Sequence, residues 1–348
     1  MLKNYLLSAW RNIRKHKLYS AINIIGLATG MAACIVIMLF VFYERSFDAI
    51  QTKNIYRLNE VQKFPGMVAS QKVALSMFPM GPTLKEDFPE VLNYTRIRWN
   101  TQFQMTFGEK RVYFPQTFFV DTAFLRMFSY PLLKGNRQTA LQKPNSAVLT
   151  ESAARKLFGN EDPVGKTISH YANDTLSFTV TGVLKDIPDN SQLQFDALLS
   201  FNTIYKPGWM NGWGGNWLNT YLELAPNTNV AAMEKKFPAY LKKHMTGDGE
   251  GWKFSELFLF PFKDVHSHAA DIGLDYINFQ KFDQNYTNIF LVIALIVLLI
   301  ACINFMNLST ARSSERAKEV GIRKSIGAQR FQLGLQFLGE TVLLSLIA

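Results

Sequence analysis

Few residues in this chain have the types and spacing of a reaction centre. Gly159-Asn160-Glu161-Asp162-Pro163-Val164-Gly165-Lys166-Thr167 looks at first like a phosphate-gripping loop. Such a loop holds four residues between its glycines, so that successive backbone amides converge on the phosphate. Here five intervene and Pro163 supplies no amide, so the stretch reads as a turn leading into a strand. His266 and His268 form an H-x-H pair of the kind that can bind zinc, but no carboxylate or cysteine constellation accompanies them, and they read as a solvated loop. Cys34 and Cys302 both fall inside apolar runs, which leaves no thiol nucleophile, Cys-based metal site or disulfide between those runs. No Ser-His-Asp or paired-carboxylate arrangement stands out. The chain reads as a non-enzyme with no catalytic, cofactor-binding or metal site.

The densest chemical signal is a compact basic helical segment, residues 311–330. Glu319 and Arg323 form a favourable i,i+4 pair, and Ile322 and Ile326 share one helix face. Gly321 and Gly327 interrupt it, and a new apolar run begins near Phe331. Loop charge alone accounts for the bases but not for the small apolar face. A short amphipathic helix facing the cytosol between two membrane spans suits docking onto a soluble partner.

The elements that position this segment are two apolar runs, Ile22 to Phe42 and Ile289 to Leu308. At about 1.5 Å per residue each crosses the ~30 Å hydrocarbon core. Before the first lie Lys3, Arg11, Arg14, Lys15 and Lys17 and no acid; after the second lie Arg312, Arg316, Lys318, Arg323, Lys324 and Arg330 against Glu315, Glu319 and Glu340. The positive-inside rule puts both ends in the cytoplasm and the middle outside. The net charge agrees: of the +10, residues 44–288 contribute only +2, with 26 basic and 24 acidic side chains. The basic excess is topological and is not a nucleic-acid footprint. The first run is too long for a signal-peptide core, and no small-residue cleavage site precedes Glu44 and Arg45. Ahead of it, Leu2, Leu6, Ala9, Trp10 and Ile13 share one face of a basic amphipathic helix suited to the inner membrane surface. Gly26 and Gly30 make a GxxxG pair, extended by Ala33, that lets helices approach closely in lipid. Asn304 and Asn307 are read as lying at headgroup level.

The region between the runs reads as α+β with mostly antiparallel sheet. Strands are expected at 55–61, 146–149, 176–184, 194–199, 217–224 and 254–262, with a hairpin pairing 104–107 with 111–114 around Gly108-Glu109-Lys110. Helices are expected at 72–88, closed by Pro89, at the aromatic-rich 118–128, at 151–158 behind a Thr150 cap, and at 230–244.

At the basic segment the chain resembles a known family. Arg316-Ala317-Lys318-Glu319-Val320-Gly321-Ile322-Arg323-Lys324-Ser325-Ile326-Gly327-Ala328 is similar to the R-x-K-E-I-G-I-R-K-A-L-G-A signature of MacB/FtsX-type ABC transporter permeases. Gln336-Phe337-Leu338-Gly339-Glu340 resembles the Q-F-L-x-E that enters the family's third span. Residues 11–17 and 20–30 resemble its N-terminal elbow and first span, and 162–168 and 182–191 resemble recurrent segments of its periplasmic core domain.

That resemblance implies a multi-pass protein of the bacterial inner membrane, with α-helical spans and a large extracytoplasmic α+β domain divided into a porter-like βαβ part and an inserted second subdomain. It implies an amphipathic cytoplasmic helix at 1–20, a first span at 21–43, a MacB-like periplasmic core domain at 44–288, a second span at 289–308, a coupling loop at 309–330 and the start of a third span at 331–348. The chain then ends inside that span, which suggests a fragment of a longer product with four spans per unit. The expected partners are a cytosolic ABC ATPase that hydrolyses ATP on a separate subunit, a second permease unit in a homodimer or pseudo-dimer, the lipid bilayer, and in efflux systems a periplasmic adaptor and an outer-membrane channel. Arg316, Lys318, Glu319, Gly321, Ile322, Arg323, Lys324, Ile326, Gly327 and Ala328 would form the ATPase-coupling helix. The implied function is efflux or extrusion driven by ATPase-powered movement of the outer domain, called mechanotransmission. The alternatives are an FtsX-like regulator of cell-wall hydrolases, favoured less by so large an outer domain, and LolE-like lipoprotein release. A two-span sensor would continue after the second run as a heptad helix, which Gly327 and the apolar run from Phe331 argue against.

Overall fold

The computed structural model describes residues 10, 11, 13, 14, 17–64, 66–171, 175–246, 250–311, 320–322, 324, 325 and 329–348. These fall into two compact units, one made of Met1–Arg45 with Gln284–Ala348 and one of Ser46–Asp283.

In the first unit, α1 (Lys17–Arg45) has no proline, and its run of Ile, Leu, Val and Ala favours an unbroken helix. Thr29 donates its hydroxyl back to the Ile25 carbonyl at 2.7 Å, which satisfies it within an apolar helix. The unit resumes after the second one, with α9 and α10 below.

Ser46–Asp283 opens with β1 (Ile55–Gln62), β2 (Gln71–Val73) and α2 (Met80–Asp87). A long hairpin follows, β3 (Val91–Phe107) and β4 (Lys110–Val120), turning at Gly108, whose φ of 58 suits glycine. Next come α3 (Phe124–Met127), β5 (Leu132–Gly135), β6 (Ser146–Thr150) and α4 (Glu151–Phe158). The Thr150 hydroxyl accepts from the Ala153 amide at 3.3 Å, so the expected cap is in place. Then come β7 (Thr167–Tyr171), β8 (Thr175–Leu184), β9 (Ala197–Ser200), α5 (Pro207–Met210) and β10 (Asn219–Leu224). The unit closes with α6 (Val230–Glu234), α7 (Phe237–His244), β11 (Ser255–Pro261) and α8 (Val265–His268). Beyond it lie α9 (Gln284–Ala311) and α10 (Arg330–Ile347), and α1 and α9 are both long and apolar enough to cross a membrane.

One sheet runs β11-β1-β10-β3-β4-β9-β6-β8-β5, with β2 on β1 and β7 on both β3 and β8. Its two halves differ. β11, β1, β10 and the start of β3 are antiparallel and open, and α2 and α7 cover one face around Leu58, Leu84, Leu222, Phe237 and Leu241. In the other half, β3, β4, β9, β6, β8 and β7 pair in a closed ring, completed by Thr106 opposite Ser169. Phe103, Phe114, Phe119, Leu149, Phe178 and Leu199 belong to that half's core. A separate core around Phe124, Phe128, Tyr130, Leu198, Tyr221 and Phe262 draws on both halves.

Several expectations are corrected. Residues 72–79 are not helical: β2 ends at Val73, and Pro79 disfavours helical backbone at Phe78, so α2 starts only at Met80. Phe118 to Val120 finish β4, and the helix is confined to Phe124–Met127. The helix expected over 230–244 is two, separated by Lys235 and Lys236 ahead of Pro238. The hairpin is far longer than expected, β2 and β5 add strands where none is expected, and β7 is the strand expected after the turn at 159–167.

Candidate functional site

The proposed coupling residues Arg316, Lys318, Glu319, Arg323, Ile326, Gly327 and Ala328 lie outside the described residues. Of the others, Gly321, Ile322 and Lys324 are helical and exposed. Ile322 is a large apolar side chain left 62% exposed. The Ser325 hydroxyl donates to the Ile322 carbonyl at 2.7 Å.

Gly26 and Gly30 face α9 of the same chain. A Cβ at Gly30 would overlap the Ala301 Cβ, and one at Gly26 would stand 3.1 Å from the Asn304 side-chain nitrogen. Asn304 thus lies beside α1 within the helix pair. Asn23 on α1 is 1% exposed, and neither of its side-chain polar atoms has a partner among the described residues.

In the Ser46–Asp283 unit, the chain segments that follow α1 and precede α9 are each fixed by a buried carboxylate. Asp48, three residues beyond α1, accepts from the Ser191 hydroxyl at 2.9 Å and the Gln192 amide at 3.2 Å. Its own amide donates to the Asn190 carbonyl at 2.9 Å, and Ser191 also bonds Tyr130 at 2.9 Å. Burial pushes the Asp48 carboxyl up to about 6, and the Ser191 and Gln192 bonds only partly oppose that. On the returning segment, Asp275 accepts from Arg57 Nη1 at 2.6 Å with both side chains buried. Arg57 Nε donates to Asn59 at 2.9 Å, and Asn278 donates to Asp275 at 3.0 Å. Neither carboxylate is marked by the sequence, because Ser191 lies 143 residues from Asp48 and Arg57 lies 218 residues from Asp275.

The decoy motifs resolve into structure. Gly159 and Gly165 take φ of 65 and 85, Lys166 pairs with Glu161, and β7 begins at Thr167. His266 departs from the solvated-loop reading: it is 1% exposed and stacks on Phe47 with ring centres 3.4 Å apart.

With this architecture in view, similarity to known proteins is informative. The MacB-like periplasmic core domain matches residues 20–240, and the FtsX-like permease C-terminal domain matches residues 291–348. The macrolide export ATP-binding/permease protein MacB of Hahella chejuensis is 24% identical over 361 aligned residues, covering 97% of this chain and 49% of that protein. The chain thus spans about half the length of that relative, and 35% of the MacB of Bdellovibrio bacteriovorus. The ABC transporter permease YvrN of Bacillus subtilis, itself uncharacterised, is 24% identical, with 100% of this chain and 84% of that one covered. Among solved structures, a domain of an inferred permease from Porphyromonas gingivalis aligns at TM-score 0.51 and 24% identity, over 62% of this chain and 93% of that one, which shows a shared fold. The two apolar helices and the matched core domain describe a membrane protein with a large periplasmic-type domain. The chain belongs to the MacB/FtsX-type ABC transporter permeases, joining a MacB-like periplasmic core domain to an FtsX-like permease segment.

Proposed function

We propose that this chain is the permease part of an ABC transporter that couples ATP hydrolysis by a cytosolic ATPase to movement of its outer domain, driving efflux or extrusion of a substrate. The observation that carries this reading is the match of 291–348 to the FtsX-like permease domain, which encloses the basic amphipathic segment. In it, Arg316 to Ala328 dock on the ATPase, Ile322 and Ile326 fill a groove, and Glu319, Arg323 and Lys324 set the register. The exposed Ile322 suits that role. The N-terminus and 309–330 are cytoplasmic, 44–288 is extracytoplasmic, and the chain acts with a second permease unit at the inner membrane. Residues 46–51 and 269–283 then transmit motion, because Asp48 and Asp275 fasten them inside the sheet unit.

Ile322→Asp tests the coupling. Losing one well-buried apolar anchor costs on the order of 2–4 kcal/mol, enough to weaken binding thirtyfold or more. Co-purification with the ATPase and its stimulated turnover in lipid nanodiscs should both fall, with expression and membrane insertion unchanged. Parental binding and stimulation in Ile322→Asp would defeat the assignment.

A further inference from the structure

The closed strand ring has an open mouth that the coupling proposal does not use. There Arg98 and Phe103 on β3, Phe119 on β4, His170 on β7 and Leu176 on β8 meet residues 203–210, around a hollow of about 510 Å³. That lies within the roughly 300–1,000 Å³ of typical ligand sites, and the mouths of closed strand rings are favoured places for them. The floor is apolar and closed: Phe103 is 2% exposed, Phe119 4% and Met210 1%. Leu176 and Ile204 are half-buried at the sides. The His170 ring stacks on Phe103 with centres 3.7 Å apart, and its Nδ1 donates to the Gln104 carbonyl at 2.8 Å. The wall is therefore preorganised.

Among the described residues, the charge at this mouth has one sign. Arg98 stands directly opposite Phe119 in the β3–β4 register, which puts its guanidinium on the same side as that floor residue. Lys206 is exposed, and its backbone amide is tied to the Met210 sulfur at 3.3 Å. Among the described residues the lining contains no carboxylate, and neither Arg98 nor Lys206 enters an ion pair. Elsewhere on this unit basic side chains commonly pair with acids, as Lys63 does with Glu256 and Lys72 with Asp271. An apolar hollow with two uncommitted cations selects for a ligand with an apolar body and an anionic head. The body gains from leaving water, and the head gains charge-assisted hydrogen bonds at the rim.

We infer that the ring mouth lined by Phe103, Phe119, Leu176, Ile204 and Met210, with Arg98 and Lys206 at its edge, is a binding site for an amphiphilic anion. An acyl carboxylate or a lipid phosphate presents that chemistry. Binding needs no nucleotide and no ATPase, so it stands apart from the coupling proposal.

The test is photolabelling of the full chain in lipid nanodiscs without nucleotide. The probes are dodecanoate, dodecyltrimethylammonium and dodecanol, each with a diazirine in the chain, and labelled sites are mapped by peptide mass spectrometry. Dodecanoate should label peptides containing Phe103, Leu176 or 203–210 at least tenfold more than the cation, and more than the alcohol. Arg98→Gln with Lys206→Gln should cut that labelling about tenfold, and Ile204→Trp should block it by filling the hollow. The exposed Lys206→Glu alone serves if Arg98→Gln disturbs folding, judged by near-ultraviolet circular dichroism. A photoreactive phosphatidylglycerol built into the disc separates the sources. Labelling of the mouth by it supports the site with a bilayer lipid as ligand, and labelling by dodecanoate alone supports it with a free amphiphile. Equal labelling by cation and anion, labelling only outside the mouth, or labelling indifferent to the loss of both cations would each overturn the site.

Discussion

The two units of this chain solve the burial problem in opposite ways. Ser46–Asp283 encloses its apolar side chains and then buries charge as well. Arg57 with Asp275 and Arg96 with Asp121 are ion pairs inside it, and Asp48 is almost wholly covered. Arg96 grips Asp121 through Nε and Nη2, donates Nη1 to the Phe78 carbonyl, and stacks over Phe201 at 4.2 Å. Among the described residues the helical unit buries little: only 17% and 11% of the apolar windows of α1 and α9 are covered, and the two helices meet through glycine, alanine and asparagine and through Phe40 edge-on to Phe290. The difference tracks solvent. In water a fold gains by hiding apolar area, and a buried charge then needs a specific partner. In lipid an exposed leucine costs nothing, so close helix contact rests on small residues and a few polar groups. The sheet unit encloses its apolar cores, while the helices leave broad apolar faces open to lipid or other helices.

The sharpest way to break that comparison is to remove one half of a buried pair. Asp275→Ala strands the Arg57 guanidinium where its side chain is 0% exposed. Removing one partner of such a pair typically costs about 3–5 kcal/mol. Arg57→Met with Asp275→Leu removes both charges and should cost much less. Guanidinium unfolding followed by tryptophan emission reads the sheet unit, because Trp10 is the one tryptophan outside it. If the single and double variants lose equal stability, the pair matters through packing rather than charge.

What could be read in the sequence divides along the same line. The helical unit announces itself through run length and flanking charge, since lipid imposes a one-dimensional rule on composition. Local features of the sheet unit were equally legible: the Thr150 cap, the turn at Gly108, and the strands expected at 55–61 and 176–184. What stayed hidden is non-local. Closure of the ring depends on Thr106 finding Ser169, and the length of β3 depends on β10 and β4 lying on either side of it. Asp48 and Asp275 look like surface acids until the partners Ser191 and Arg57 arrive. His266 looked solvated because nothing nearby in sequence foretells its stack on Phe47. Most of the coupling segment stays outside the described residues, so its reading rests on charge pattern and family.

A second break uses proton uptake by the sheet unit. The Asp48 carboxyl sits at about 6 instead of the ordinary 3.8 because burial disfavours its charged form. Below the unfolded value both states hold the proton and the contribution to stability is fully present. As pH rises toward the folded value, the unfolded state has already released its proton while the folded state keeps it. Stability therefore falls across pH 4 to 6 and levels off above that. A shift of this size corresponds to about 3 kcal/mol. Asp48→Asn keeps an oxygen to accept from Ser191 and Gln192 but cannot titrate. Its stability should be flatter across that window, seen as a smaller change in unfolding midpoint between pH 4 and pH 7. A parental slope in Asp48→Asn would place the proton uptake elsewhere.

The smallest effect tests the helical unit on its own terms. If contact between α1 and α9 rests on small residues, adding side-chain volume at Gly30 should be felt and adding it elsewhere should not. A Cβ at Gly30 overlaps the Ala301 Cβ, whereas one at Gly334 on α10 meets nothing within 4 Å. Overpacking of this kind costs about 1–3 kcal/mol. Gly30→Ala should therefore lower the midpoint of detergent-induced unfolding in lipid micelles, and Gly334→Ala should leave it in place or raise it slightly. Ala301→Gly in the Gly30→Ala background restores the room that was lost, so it should recover part of the midpoint. That rescue distinguishes a steric contact from a change in helix propensity, because a second glycine in a helix interior would by propensity alone make matters worse. If Ala301→Gly deepens the loss instead, the two helices are not held by this contact, and the small residues of α1 serve some other neighbour.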